Sequence, residues 1–492
     1  MHRLSKYLNF MSKRILSPPA TPAPAQAGKK RRFKKFKPKP IDPTSVEGVL
    51  RNDVGDMLDK LGIDKDGAKN DMDAFFNRDR SLPWPLHKTV DLEIEALSST
   101  GVGLGVHDGK AVVVPYAIPG DKVRTKIYRT EESYLESEIL EILTPSKDRN
   151  DDLSSCRYFG RCSGCQYQMT KYEYQLDAKR QVVVDAFRHY APELFKSGKL
   201  PEISKTVGSP LQYGYRTKLT PHFDEPRKTK QGLVPIGFGM KGRKDILDIE
   251  ECAIGTPVVN DGMKRERALV LENIASYKRG ATILLRQDQK EDGTLVCTTD
   301  NKAIITENVD GFVFKYPAGT FFQNNNSILP LVTSFVRENI KVRGEAPKFL
   351  VDTYCGSGLF AVTCSSAVER VIGVEISKES VEYATTNAKL NNIANAEFIT
   401  GQAERIFEHV SQEPENTAVI LDPPRKGCDK LFLDQLIAFK PAKVVYVSCN
   451  VHSQARDLEY LMQNSSYKIE SLGGFDFFPQ TYHVEGVAVL SL

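Results

Sequence analysis

A cysteine stands where an apolar strand pattern ends. The stretch AKVVYVSCN, residues 442–450, is apolar or aromatic from Val444 to Val447, with Ala442 before this run, and then finishes on Ser448, Cys449 and Asn450. An apolar run of this length is typical of a buried strand, and open α/β proteins bind ligands outside the carboxyl ends of their strands. A thiol at that edge is placed to act as a nucleophile, although an isolated cysteine there is more often a packing residue.

A carboxylate near the end of the chain could serve this thiol as a partner. Glu485 lies in FFPQTYHVEGVAVL, directly before the final apolar run, and is flanked by His483 and aromatic residues. Partial burial in such surroundings raises the pKa of a carboxyl group towards that of a useful general base.

A thiol, a base and a methyl donor are what methylation at C5 of uracil requires. C5 is a poor nucleophile until a thiolate adds to C6, which converts C5 and the C4 carbonyl into an enolate. The enolate can attack a sulfonium methyl group, and a base then removes the C5 proton so that the thiolate can leave. The residue types therefore allow Cys449 as the nucleophile and Glu485 as the proton acceptor.

A glycine-rich turn follows another strand pattern in LVDTYCGSGLF, residues 350–360. Glycines let the backbone approach a ligand with no Cβ in the way. Glu375 ends the next predicted strand, where a carboxylate can accept hydrogen bonds from a ribose diol. A dinucleotide site would look similar, but the turn lacks the GxGxxG spacing, which favours S-adenosylmethionine as the ligand.

A two-proline loop, LDPPRKGCD at residues 421–429, follows the fourth strand pattern of this part of the chain. The prolines lock an extended turn and leave carbonyl acceptors with no competing N–H groups, which suits a loop beside a planar base. A plain tight turn is the alternative, and the acid before the prolines, Asp422, argues against it. Enzymes that methylate exocyclic amines usually carry an aromatic residue after the prolines, so Arg425 argues against that chemistry.

The positive charge of the chain is concentrated at its N-terminus. Residues 1–41 hold twelve of the 67 Lys and Arg residues and no acid, so residues 42–492 carry 55 bases against 63 acids. The segment has too few apolar residues to offset the entropy of ordering, which predicts disorder. A solubilising tail, a nuclear signal and a nonspecific RNA-binding arm are alternatives, and the acid-free residues 1–16 also suit a mitochondrial presequence.

Composition predicts a protein that works inside the cell, with nucleus, cytoplasm and mitochondrion as alternatives. The sequence contains no run of 18 apolar residues, so we expect no transmembrane helix and no membrane partner. Its nine cysteines are expected to be reduced.

The texture of the sequence predicts four parts. Residues 1–86 are expected to be a disordered basic extension and a polar linker with two short helices. Alternating apolar residues with HDG and PGD turns predict a small β-barrel of five short strands at 87–146. Residues 147–345 mix strands and helices in an α+β domain. Over 346–492, strands alternate with helical patterns of about 10–15 residues, which is typical of a doubly wound parallel sheet in an α/β domain.

Four cysteines have a spacing that suits a metal centre. Cys156, Cys162 and Cys165 occur together in CRYFGRCSGCQYQ, and Cys252 follows in DIEECAIG. Four thiolates can hold an iron–sulfur cluster, tetrahedral zinc is the chemical alternative, and a group of reduced thiols is the third. The remaining cysteines apart from the one at 449 are interpreted as packing residues: Cys297, Cys355, Cys364 and Cys428.

The motifs DTYCGSGLF, LDPPRKGCD, VSCN and FPQTYHVE, in this order, closely resemble the successive motifs of the RNA uracil-C5 methyltransferase family, over roughly residues 88–492. The resemblance implies a Rossmann-like, S-adenosylmethionine-dependent methyltransferase domain. It also implies an N-terminal TRAM domain, an OB-like β-barrel that binds RNA, and a central α+β domain. By resemblance, Cys449 is the nucleophile and Glu485 the proton acceptor.

The resemblance also assigns residues of the donor site. Gln323, in GTFFQNNNS, matches a glutamine that contacts the methyl donor, and the other matching positions are Tyr354, Glu375 and Asp422. Leu359 falls where some members carry Asn, so that contact is not carried over. SCNVHSQARD has Val-His where Pro-x is common, a change that concerns the loop and not the thiol.

The substrate implied by the resemblance is uridine 54 in the T loop of tRNA, with ribosomal RNA as the runner-up. The cysteine spacing is similar to that of the cluster-bearing branch of the family, which implies a [4Fe–4S] cluster and is itself more like the ribosomal branch. The protein is expected to act as a monomer. Amino-group methylation of nucleic acid and a non-catalytic RNA chaperone are the rival hypotheses.

Overall fold

The structure, a computed structural model, describes residues 40–63, 87–225, 234–401 and 413–492. Residues 1–39, which hold most of the basic segment predicted to be disordered, lie outside the described residues. So does the second half of the predicted linker, residues 64–86. Residues 42–492 form one compact unit.

The predicted barrel is present and closed. Its strands are β1 Thr89–Leu97, β2 Val102–His107, β3 Lys110–Pro115, β4 Lys122–Thr130 and β5 Leu135–Thr144, and they pair in the order β1-β2-β3-β5-β4. Along β1 and β4 buried residues alternate with more exposed ones, as a strand with one face in a core requires. Closure leaves the sheet with no free edge.

A helix precedes the barrel, within the segment predicted to be a linker. Helix α1, Val46–Lys60, begins at the N-cap Ser45, whose hydroxyl accepts a hydrogen bond from the N–H of Gly48. Its apolar residues pack against the barrel strands, together forming one core cluster. A short helix was expected in this segment, but not as part of a folded domain. Six residues of the helix are buried, so residues 46–60 belong to the folded part of the chain and not to a linker.

The central part mixes short sheets with helices, as predicted for an α+β domain. Its helices are α2 Tyr172–Tyr190, α3 Pro192–Lys196 and α4 Pro257–Glu272. Its strands are β6 Lys218–Leu219, β7 His222–Phe223, β8 Gly237–Gly239, β9 Ile246–Asp248, β10 Ala281–Thr282, β11 Leu285–Gln289, β12 Leu295–Thr298, β13 Ile304–Val309 and β14 Phe312–Pro317. They form small sheets in the orders β10-β7-β8-β9, β12-β11-β6 and β13-β14.

The C-terminal part is a doubly wound sheet, as predicted. Its strands are β15 Phe349–Thr353, β16 Arg370–Glu375, β17 Ala396–Thr400, β18 Thr417–Leu421, β19 Lys443–Ser448, β20 Lys468–Phe475 and β21 Glu485–Ser491. The helices are α5 Leu329–Asn339, α6 Leu359–Thr363, α7 Lys378–Leu390, α8 Lys430–Phe439 and α9 Val451–Asn464. The strand order is β17-β16-β15-β18-β19-β21-β20, parallel except that β21 runs antiparallel to both neighbours.

Burial on both faces explains the apolar strand patterns of this sheet. Every residue of β18 and of β19 is buried. Two large apolar clusters cover the sheet, one on each side, and helices α8 and α9 contribute to one of them while α5 and α6 contribute to the other. Within the described ranges, no helix has the length and apolar character needed to cross a membrane.

Strand order reverses between β15 and β18. From β15 the sheet continues through β16 to β17 on one side, and from β18 it continues to β19 on the other. In open α/β sheets the ligand crevice opens outside the carboxyl ends of the strands at such a reversal. The loops after β15, β16, β18 and β19 therefore define where a site should lie.

Candidate active site

The thiol and carboxyl group that the sequence singles out lie on adjacent strands. In the antiparallel pair β19 and β21, Ser448 is opposite Gly486. Extending this register by one residue places Cys449 opposite Glu485. Because β21 is reversed, its first residue lies at the edge where the parallel strands end. Cys449 is partly exposed, whereas Glu485 is only 1% exposed.

A buried glutamine ties these two strand ends together. The side-chain amide of Gln454, on α9, donates to the carbonyl of Tyr446 at 2.8 Å and to the carbonyl of Gly486 at 3.3 Å. A Cβ on Gly486 would lie 2.4 Å from the Gln454 side-chain oxygen, so a larger residue there would displace this amide. Gln454 thus fixes the register that brings the thiol to the carboxyl group, a role that no motif in the sequence had indicated.

Side chains of helix α2 bind the loop at residues 476–480, which leads to Glu485. The buried Lys179 forms an ion pair with Asp476 and also donates to the carbonyl of Phe478 at 3.0 Å. Gln480, at φ 72°, exchanges two hydrogen bonds with the side chain of Gln175, at 3.0 and 3.1 Å. The helix therefore positions the base-bearing strand through buried polar contacts.

The two-proline loop is tied directly to the cysteine loop. The carbonyl of Arg425 accepts hydrogen bonds from the side chains of Asn450, at 2.9 Å, and Ser453, at 3.1 Å. Gly427, at φ 78°, turns the loop back and leaves no space for a Cβ beside Asp457. These contacts bring Asp422 and Arg425 to the same edge of the sheet as Cys449.

The glycine-rich turn and Glu375 also meet, as the sequence predicts. The N–H of Gly356 donates to the Glu375 carboxylate at 3.2 Å, and the N–H of Ser377 donates to it at 2.9 Å. Asp352, which the sequence did not single out, is 1% exposed and accepts from the N–H of Ala361 at 2.9 Å, fixing helix α6 behind the turn. A Cβ added to Gly356 would have no atom within 4 Å, so the turn borders open space.

Tyr354 lies at the start of the same turn in a left-handed conformation, with φ 61°. Its ring packs against Phe432 with centroids 5.7 Å apart, on the side of the sheet that α8 covers. A non-glycine residue in this backbone region costs energy, and such residues concentrate at functional sites.

Gln323 lies in the loop between β14 and α5, with 9% of its surface exposed. The loop is joined to the segment before Glu485, since the side chain of Asn325 donates to the carbonyl of Phe477 at 3.1 Å. The loop that carries Gln323 is therefore joined to the C-terminal loop. The contact of Gln323 with a methyl donor stays a prediction from the resemblance.

Burial and neighbouring charges raise the pKa values of three groups at the site. Burial, together with Glu485 and Asp422, raises the pKa of the Cys449 thiol to about 12, and the Arg425 guanidinium opposes this rise. Burial raises the pKa of Asp422 to about 7. Burial and the charge of Asp422 raise the pKa of Glu485 well above its ordinary value, again against the effect of Arg425.

One oxygen of the Glu485 carboxyl group, Oε1, is buried and has no hydrogen-bond partner among the described residues. Buried carboxyl oxygens normally have a partner, so an oxygen without one is available to a ligand or a proton. A high pKa and a free oxygen are what a general base facing a carbon acid needs.

The four cysteines proposed for a metal centre face one cavity of about 400 Å³, which also borders Phe478 and His483 of the C-terminal loop. Burial raises the pKa of Cys162 and Cys165, and raises that of Cys252 to about 11. In the part of the chain that the structure describes, no three His, Cys, Asp or Glu side chains are gathered closely enough to hold a metal ion. The donor set suits a cluster, but its arrangement here is not that of a closed metal site.

Two protein-family models match the chain. A family model described as tRNA (Uracil-5-)-methyltransferase matches residues 299–491. A model of the TRAM domain matches residues 85–140, which cover most of the barrel.

Two fungal proteins are similar over most of their length. The chain is 42% identical to the tRNA (uracil(54)-C(5))-methyltransferase of Saccharomyces cerevisiae, covering 96% of this chain and 85% of that protein. It is 48% identical to the protein of the same name in Schizosaccharomyces pombe, covering 84% of this chain and 80% of that protein.

A solved structure confirms the fold. The crystal structure of Pyrococcus abyssi tRNA (uracil-54, C5)-methyltransferase in complex with S-adenosyl-L-homocysteine superposes with a TM-score of 0.62 at 22% sequence identity. The match covers 82% of this chain and 100% of that chain.

Proposed function

The chain belongs to the tRNA (uracil-5-)-methyltransferase family, and we propose that it transfers a methyl group from S-adenosylmethionine to C5 of uridine 54 in tRNA, with Cys449 as nucleophile and Glu485 as base. The family resemblance stated from the sequence motifs is thus confirmed. The observation that carries the proposed roles is the register of β19 and β21, which places this thiol opposite this carboxyl group at the edge where the parallel strands end.

The reaction proceeds through a temporary bond between the enzyme and the RNA. The Cys449 thiolate adds to C6 of the uracil, and the electron pair of the C5–C6 double bond moves into an enolate. C5 takes the methyl group of the donor, and S-adenosylhomocysteine leaves. Glu485 removes the C5 proton, the double bond re-forms, and the C6–S bond breaks to return the thiolate.

Electrostatics gives the methyl donor a further role in this proposal. The thiol is protonated at neutral pH in the ligand-free site, because burial and two nearby carboxyl groups raise its pKa. The positive sulfonium of the donor would favour the charged forms of the thiol and of the carboxyl groups alike. Arg425 acts in the same direction as the donor on both Cys449 and Glu485.

The donor would contact the loops at the reversal of strand order. Glu375 and the glycine-rich turn would receive its ribose, while Asp422, Tyr354 and Gln323 would complete the pocket. The archaeal enzyme of the same fold binds S-adenosyl-L-homocysteine, which supports a donor of this chemical class.

Transfer RNA is favoured over ribosomal RNA as the substrate because both fungal relatives are named for uracil 54 of tRNA. Purified protein should transfer labelled methyl groups to a tRNA transcript with U54. A transcript in which U54 is replaced by C should accept at least about 100-fold less, since the chemistry depends on one uridine in its loop. Equal labelling of the two transcripts, or labelling of a ribosomal RNA fragment alone, would contradict the assignment to U54.

We propose that the four cysteines bind a [4Fe–4S] cluster with a structural or RNA-docking role, because methyl transfer needs no redox step. Their spacing and their shared cavity support the proposal. Protein purified without oxygen should be brown, absorb in the near-visible and contain iron. Cys165→Ser should lose the colour and Cys297→Ser, outside the cavity, should keep it. A colourless preparation without iron would leave zinc or reduced thiols as the explanation.

The protein is proposed to act inside the cell, where its tRNA substrate is found, and as a monomer. Nucleus, cytoplasm and mitochondrion stay alternatives, and the basic residues 1–41 suit each of them.

A further inference from the structure

Residues 42–60 form a strap, defined as the turn Asp42–Ser45 followed by helix α1. One side of the strap is fixed to the barrel. The carboxylate of Asp53 accepts hydrogen bonds from the N–H of Ser99, at 2.8 Å, and from its hydroxyl, at 3.1 Å. Apolar residues of α1 share a core cluster with the barrel, among them Leu50, Val54, Met57, Leu58, Val102 and Leu104. The strap is therefore part of the folded RNA-binding domain.

The other end of the strap is fixed to the cysteine loop. The side chain of Asn450, the residue after the nucleophile, donates to the carbonyl of Thr44 at 3.3 Å. Tyr190, at the end of α2, donates to the carbonyl of Pro43 at 2.6 Å and accepts from the side chain of Asn52 at 2.8 Å. The Tyr190 ring lies against His452 on α9, with centroids 5.5 Å apart.

A cavity of about 290 Å³ lies between the strap and the nucleophile. One wall consists of strap residues and the barrel turn with Ser99 and Thr100, and the opposite wall includes Arg425, Cys449 and His483. The residues proposed for the methyl donor, Glu375 and Asp422 among them, do not line it. The cavity therefore borders the thiol on the side of the strap and the barrel, apart from the proposed donor residues.

The barrel turn that contains Gly101 packs closely against Tyr482, in the loop before Glu485. Gly101, at φ 75°, lies so near Tyr482 that an added Cβ would be 2.8 Å from the Cβ of that tyrosine. Tyr482 also lines the cavity. Close backbone packing here fixes the barrel relative to the loop that carries Glu485.

We propose that the strap is a substrate-positioning element, which completes the pocket for the extruded uridine and holds the RNA-binding barrel in register with Cys449. A uridine in a folded RNA loop must leave its stack to reach a thiol in a cleft, so its pocket needs a wall on the RNA side. The strap is the part of the described chain that touches both the barrel and the residue after the nucleophile. This inference rests on the proposed function of the site and adds a role for residues outside both family-model matches.

Tyr190→Phe tests the strap with little change in packing. The variant keeps the ring against His452 but loses the bonds to Pro43 and Asn52. The KM for tRNA should rise at least about fivefold, because the strap loses these two bonds to Tyr190, while the KM for S-adenosylmethionine stays the same. The two lost hydrogen bonds should lower the melting temperature by no more than a few degrees. Asn52→Ala removes one of the two bonds and should give a smaller change in the same direction.

Tyr467→Phe is the matched control, because Tyr467 also donates to a proline carbonyl, that of Pro441, at 2.6 Å, in the catalytic domain. It should leave the KM for tRNA unchanged. An unchanged KM for tRNA in both strap variants would overturn the positioning role, as would an equal rise in the control. Either result would leave the roles of Cys449 and Glu485 intact, since those are tested by their own substitutions.

Discussion

Cys449→Ala abolishes methyl transfer while leaving the protein folded and able to bind both substrates. The expected loss is on the order of 10⁴-fold or more, the scale observed when a covalent nucleophile is deleted. The reason is chemical, because without a bond at C6 the C5 carbon of uracil has no enolate from which to attack the methyl group. The measurement is the rate of transfer of labelled methyl groups to tRNA, with tRNA affinity measured in parallel.

The matched control is Cys364→Ala, which removes a thiol buried in the core of the same domain. It should reduce stability slightly and leave the rate per folded molecule unchanged. Amino-group methylation needs no thiol, so a Cys449→Ala enzyme that still transfers methyl groups would favour that rival. An RNA chaperone would keep its cellular effect after Cys449→Ala even though methyl transfer is gone.

Much of the site could be predicted because its residues follow strands. A strand that ends on an acid or a thiol is visible in the sequence, and parallel strands share one edge, so Glu375, Asp422 and Cys449 were expected to lie together. The structure brings these three loops to that edge. The position of Glu485 was harder to derive from sequence, since it depends on the reversal of β21.

Residues that act through tertiary contacts cannot be recognised from a pattern in the sequence. Gln454 lies on an amphipathic helix like any other polar residue, and only the fold shows that its amide joins two strand ends. Asp352 looks like one more residue of a strand, yet its carboxylate fixes the helix behind the glycine-rich turn. Arg425 was noticed as an exception to an aromatic motif, and its electrostatic effect on Cys449 and Glu485 appears only in three dimensions.

The strap shows a different limit of sequence interpretation. Val49, Leu50, Val54, Met57 and Leu58 have a helical spacing, and Ser45 is a good N-cap, so the signal was present. Short helices were expected here, but the acid-rich, polar character of the surrounding segment led to the interpretation of a linker. The helix is stabilised by its apolar contacts with the barrel, which a local pattern cannot reveal.

Glu485→Gln traps a covalent complex between the enzyme and methylated RNA. Glutamine keeps the size of the side chain but cannot take up the C5 proton, so the reaction should stop after methyl transfer with the C6–S bond intact. Turnover should fall by about 10²–10⁴-fold, the usual contribution of a general base. The trapped species is detected as a complex that survives denaturing electrophoresis and forms only when the methyl donor is present.

The control for this variant is Glu470→Gln, on the neighbouring strand β20, where the carboxylate pairs with Lys443 away from the thiol. It should turn over normally and leave no adduct. Normal turnover by Glu485→Gln would show that another group removes the proton, and Asp422, whose pKa burial raises to about 7, is the nearest candidate. An inactive Glu485→Gln without adduct would instead place the carboxyl group before the covalent step, because a thiol that never adds to C6 leaves nothing to trap.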